Sequence, residues 1–127
     1  TYSLPYLKQL NDRLSEKCPY MLLHICGKTM ERISALKDSG IAIFSVDSLD
    51  LEEALKRAEG KITIMGTLSP VRVLEQESPE EIYQKAQNLV QTAGFSGGFI
   101  LAPGCDLTPD TPYEHIEAMV RAVSGKE

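Results

Sequence analysis

Short apolar runs alternate with amphipathic stretches along the whole chain. Leu7, Leu10 and Leu14, spaced by three and four, predict a helix over residues 5–17, with Pro19 limiting its end. Tyr20 to His24 then reads as a short buried strand. Met30, Ile33, Ala35 and Leu36 form the apolar side of a second helix, from Lys28 to Ser39, which Gly40 stops. Ile41 to Val46 has almost no polar interruption, the pattern of a strand covered on both faces.

Ser48 or Asp50 can cap a short helix that runs to about Ala58, and Gly60 closes it. Lys61 to Gly66 is the third strand, with a turn expected at Thr67-Leu68-Ser69-Pro70. Ser78-Pro79-Glu80-Glu81 is a helix start: a Ser cap, Pro in the first turn and Glu81 as capping-box partner. That helix runs to about Thr92, with Ile82, Ala86, Leu89 and Val90 inward. Gly97 to Ala102 is the fourth strand, and Thr111-Pro112-Tyr113-Glu114 opens a last helix through about Val123.

A leading helix followed by four strand–helix units predicts an α/β fold with parallel strands. Four such units make either a small flavodoxin-like sheet or half of a (β/α)8 barrel, which normally needs ~250 residues. The leading helix favours the half-barrel, because it reads as the closing helix of a preceding unit. Residues 1–127 are therefore expected to form a single half-barrel segment. The chain opens without Met, which fits a processed chain or a piece of a longer one.

Composition narrows the function. At 127 residues, 43% hydrophobic and 24% charged, the chain has the balance of an ordinary globular domain. A net charge of −5 without a basic run argues against a nucleic-acid or anionic-membrane surface. No apolar stretch approaches the ~20 residues that cross a bilayer. The first residues lack the basic region and cleavage site of a signal peptide. Three cysteines in such a chain suggest a reducing, cytoplasmic setting and metal or thiol chemistry.

The candidate chemistry lies where strands hand over to helices. His24 and Cys26 are two apart, so an extended segment points both to one side. Cys105, in Gly104-Cys105-Asp106, follows another strand at the same predicted sheet edge. One imidazole and two thiolates are the ligands zinc prefers, with a fourth position open. The bland alternative makes each Cys a small buried hydrophobe and the His a hydrogen-bonded structural group.

Asp47 ends a strand on that edge, as an acceptor orienting His24, a substrate contact or a helix cap. Gly66 and Thr67 lie there too, where glycine would permit close approach to a ligand, although loop geometry alone also explains them. Cys18 falls at the opposite edge and is expected to be structural or merely exposed. His115, in the first turn of the last helix, is expected to face solvent. Gly97-Gly98 begins a strand and does not make a phosphate loop.

His24-Ile25-Cys26-Gly27, Met65-Gly66-Thr67-Leu68-Ser69-Pro70 and the run from Ala102 to Pro112 together resemble the C-terminal half of the uroporphyrinogen decarboxylase superfamily. The resemblance spans essentially the whole chain. Within the superfamily it is strongest to the methylcobamide:coenzyme M methyltransferases. These hold zinc through a His-x-Cys pair and a late Cys, which map onto His24, Cys26 and Cys105. Decarboxylases typically carry Gly-His-Gly where this chain has Gly104-Cys105-Asp106, and they need no metal. Cobalamin-independent methionine synthase binds zinc similarly, but Pro109-Asp110-Thr111-Pro112 fits the first family better.

The resemblance implies barrel units five to eight, a Zn2+ site, and methyl transfer from a methylated corrinoid to a thiol such as coenzyme M. It also implies a corrinoid protein as partner. The missing N-terminal half-barrel or a second copy would cover the open strand edges. The alternatives are a decarboxylase-like lyase and a zinc-binding barrel fragment without catalysis.

Overall fold

The computed structural model describes residues 2–94 and 97–124. Helix α1 (Leu4–Leu14) leads into strand β1 (Leu22–Ile25), α2 (Met30–Leu36), β2 (Ile43–Val46) and α3 (Leu51–Ala58). Strand β3 (Thr63–Leu68) follows, then a π-helical turn at Pro70–Leu74, α4 (Pro79–Ala93), β4 (Phe99–Pro103) and α5 (Tyr113–Ser124).

All three strand pairings are parallel, and the sheet order is β1-β2-β3-β4. A flavodoxin-like sheet places its first strand between the second and third. Strictly sequential order belongs instead to consecutive units of a (β/α)8 barrel. The chain is a four-unit segment of such a barrel, with β1 and β4 as the edge strands among the described residues.

The local signals explain most boundaries. Asp50 caps α3 by accepting from Glu53 N at 2.8 Å, and the helix ends with Glu59 in the left-handed region. Ser78 and Glu81 form the expected capping box on α4, each side chain bonded to the other's backbone N–H. The turn after β3 starts later than the sequence predicts. Thr67 and Leu68 remain in the strand because they pair with Ala102 and Pro103 of β4. Ser69 then caps the π turn, its Oγ accepting from Arg72 N.

The helices cover one face of the sheet. Phe44, Val46 and Ile64 pack there against Ile33 and Leu36 of α2 and Leu51, Ala54 and Ala58 of α3. A second cluster joins Leu68, Leu74, Ile82, Ala86 and Ala118 beneath α4 and α5. Burying these side chains is what holds the helices on the strands, at roughly 1.5–3 kcal/mol for each large one.

The other face is open. The apolar run in β2 predicts cover on both faces, but Leu22 and Ile100 on the helix-free side are 48% and 40% exposed. Helix α1 shows the same openness. Leu4 and Leu7 touch the core, whereas Leu10 and Leu14 of the predicted apolar side are exposed. Both observations suit a segment whose inner face and flanks are covered by further barrel units.

Candidate metal centre

His24 lies in β1 on the helix-free face, in register with Ser45 of β2, which in turn pairs with Met65 of β3. Met65 pairs with Ile100 of β4, so the four residues form one inward row across the sheet. Cys26 immediately follows β1, and Cys105 lies two residues beyond β4. All three candidate ligands therefore reach the C-terminal edge of the strands, the edge that carries chemistry in barrel folds.

His24 Nε2 is 3.0 Å from Cys26 Sγ and 3.7 Å from Cys105 Sγ. The two sulfurs are 3.6 Å apart. A tetrahedral zinc with Zn–S of about 2.3 Å and Zn–N of about 2.0 Å separates two sulfurs by about 3.8 Å, and nitrogen from sulfur by about 3.5 Å. Two of the three separations already match that triangle, and the third is that of a direct thiol–imidazole hydrogen bond. The residues fit zinc in donor type and in spacing.

A cleft of about 400 Å³ opens over the triad, lined also by Ser45, Met65, Ala102, Pro103 and Asp106. Cys26 is exposed and Cys105 half-buried, so the side of the triad away from the sheet is accessible. The hydrogen bond with Cys105 pushes the Cys26 thiol up from its ordinary value of 9.0. Desolvation and the negative charges of Cys105, Asp47 and Asp106 push in the same direction. These neighbours favour the protonated Cys26 thiol, and a bound cation would favour its thiolate.

The remaining sequence candidates separate by position. Asp47 does not touch His24; its Oδ2 accepts from Gly27 N at 3.4 Å, closing the turn that carries Cys26. The cap of α3 is Asp50, not Ser48 or Asp47. Gly66 and Thr67 are not among the residues lining the cleft. The close approach at Gly66 is to the chain itself: a Cβ there would lie 2.5 Å from the Val46 carbonyl oxygen. Thr67 lines a different hollow with Lys85, Asn88, Leu89 and Thr92 of α4.

Cys18 is exposed and apart from the triad. His115 does not face solvent as expected. It is 7% exposed, and its Nδ1 bonds the Leu74 carbonyl at 2.9 Å, because α5 folds over the π turn. The residue the sequence reading missed is Ser45, whose Oγ lies 3.0 Å from His24 Nδ1. The available signal was a lone hydroxyl inside an apolar strand.

A family model described as uroporphyrinogen decarboxylase (URO-D) matches residues 1–125. The chain belongs to the uroporphyrinogen decarboxylase family. Within that family it is similar to methylcobamide:CoM methyltransferase MtbA of Methanosarcina acetivorans, at 32% identity over 98% of this chain and 35% of the relative. It is 35% identical to MtbA of Methanosarcina mazei, with the same coverage. It is also 33% identical to the uroporphyrinogen decarboxylase of a Synechococcus species, over 97% of this chain and 33% of the relative.

The fold agrees with a methyltransferase structure from Methanosarcina mazei at a TM-score of 0.81 and 24% identity. That match covers 94% of this chain and 34% of that one. The chain thus spans about a third of the length of the uroporphyrinogen decarboxylase family members it matches. Among the described residues no helix is long and apolar enough to cross a membrane.

Proposed function

We propose that this chain carries the metal centre of a zinc-dependent methyltransferase, which moves a methyl group from a methylated corrinoid to a thiol such as coenzyme M. The observation that carries the reading is the convergence of His24 Nε2, Cys26 Sγ and Cys105 Sγ on one point at the mouth of an open cleft. The names of the methyltransferase relatives support the same chemistry.

His24, Cys26 and Cys105 would be the three protein ligands and would transfer no proton themselves. Zinc, when bound, would accept the substrate thiol at its open position and keep it deprotonated but nucleophilic at neutral pH. Cys26 and Cys105, as thiolates beside a neutral His24, would balance the ion's charge. A substrate thiolate added there would make the centre anionic. A methylated corrinoid, when bound, would supply the methyl group, and His24, Cys26 and Cys105 would hold the acceptor thiol toward it at the cleft mouth. Asp47 supports the site by holding the Cys26–Gly27 turn through the Gly27 N–H.

Uroporphyrinogen decarboxylases are relatives too, and the grouping of one imidazole with two thiols favours the methyltransferase reading over theirs. The open sheet edges call for the remaining barrel units, and the thiol ligands for a reducing cytoplasm.

The test is thiol binding to the chain loaded with Co2+ in place of zinc. Coenzyme M is expected to intensify the sulfur-to-metal charge-transfer band, and the same chain supplied with methylcobalamin is then assayed for the methyl thioether. A spectrum that no thiol alters would overturn the reading.

A further inference from the structure

We propose that Ser45 is the positioning residue of this centre: its Oγ accepts the Nδ1 proton of His24, and so turns Nε2, unprotonated, toward Cys26 and Cys105. This rests on the metal-centre reading above. The geometry itself does not.

Ser45 and His24 are direct partners in the β1–β2 register, and their side chains meet at 3.0 Å on the helix-free face. Ser45 is 8% exposed, and it alone is polar in a strand otherwise made of Ile43, Phe44 and Val46. A buried hydroxyl there costs stability unless it is bonded, and the His24 ring is its side-chain partner. Asp47 bonds Gly27 N, and among the described residues no carboxylate is hydrogen-bonded to the His24 ring.

A neutral imidazole has one N–H. If the proton sits on Nδ1 and is donated to Ser45, the Nε2 lone pair faces both sulfurs, 3.0 and 3.7 Å away. The opposite tautomer would aim an N–H at the place a cation would take. Ser45 therefore holds the ring's direction and, as the acceptor from Nδ1, supports the tautomer a ligand needs, the role outer partners commonly have at metal-binding histidines.

The experiment compares the unaltered chain with Ser45→Ala and Ser45→Thr by two readouts. The first is the ring ¹⁵N shifts of His24 in the metal-free chain; the second is Zn2+ and Co2+ affinity from competition with a chromophoric chelator. Ser45→Ala is expected to move the His24 Nδ1 shift, as its hydrogen bond is lost, and to weaken metal binding by about 10–100-fold. Ser45→Thr, which keeps the hydroxyl, is expected to restore both. A merely structural serine would alter thermal stability and leave the ring shifts alone. Unchanged ring shifts or unchanged affinity in Ser45→Ala, with normal binding by the unaltered chain, would overturn the lock and leave the metal centre standing. No metal bound by the unaltered chain would overturn the metal-centre reading and the lock's purpose with it.

Discussion

The sulfur atoms of Cys26 and Cys105 stand 3.6 Å apart although 79 residues separate them along the chain. Two edge strands that do not pair, β1 and β4, deliver them to one point at the C-terminal edge of a sheet in strictly sequential order. If they share a cation, removing either sulfur leaves two ligands, too few to hold it tightly. Cys105→Ala is expected to weaken zinc binding by more than about 100-fold, beyond the effect of losing an outer-shell partner. Chelator competition measures this; full zinc stoichiometry at undiminished affinity in the variant would contradict the ligand assignment.

The contact of Cys105 with Cys26 has a pH signature at Cys26. In the metal-free chain the Cys26 pKa is raised above 9.0, first by its hydrogen bond with Cys105. Only the thiolate alkylates, so the midpoint of the Cys26 alkylation rate against pH is expected above 9.0 and is expected to fall in Cys105→Ala. Asp106→Asn should move it downward by less, since Asp106 is the last of the contributing causes. Cys26 must lose its proton to bind a cation, so zinc affinity is expected to rise with pH for as long as its thiol is protonated. Mass-resolved alkylation kinetics of Cys26 provide the check.

Gly104 sets the path of the Cys105 segment. A Cβ at Gly104 would lie 1.9 Å from the Asp47 carbonyl oxygen, so β4 and the end of β2 touch backbone to backbone there. Gly104→Ala must push the two apart, at a cost of about 1–3 kcal/mol. It is expected to lower the denaturation midpoint and, by displacing Cys105, the zinc affinity as well. A variant as stable and as tight as the parent would show that the contact is slack.

Helix α4 offers a test away from the site. Ser78→Ala removes the cap on Glu81 N, a loss of about 1 kcal/mol, and one of the two Ser78 donors to the Glu81 carboxylate. The hydrogen bonds from Ser78 hold the Glu81 pKa below its ordinary 4.5. A depressed carboxylate stabilises the fold above its unfolded pKa and loses that effect as pH falls through the folded one. The difference between parent and Ser78→Ala in urea unfolding is therefore expected to be full at pH 7 and to shrink below about pH 4.

Legibility followed the range of the forces. The capping box at Ser78–Glu81 and the cap at Asp50 are local hydrogen bonds between residues three apart, and the sequence carries them openly. The His24-x-Cys26 pair is local as well, and Cys105 could be placed on the same edge because strand–helix alternation fixes strand direction. What depended on pairing between strands was not legible. Thr67 and Leu68 read as a turn until β4 holds them in the sheet. Ser45 read as a passing polar residue because only the β1–β2 register brings it to His24. His115 read as exposed because nothing local announces that α5 closes over Leu74.

The most direct test of the central claim is a zinc titration of the purified chain beside a variant carrying His24→Ala, Cys26→Ala and Cys105→Ala. The account predicts one tightly bound zinc per chain, absent from the triple variant, with Cys18 contributing nothing. Equal zinc binding by both chains, or none by the parent, would contradict it.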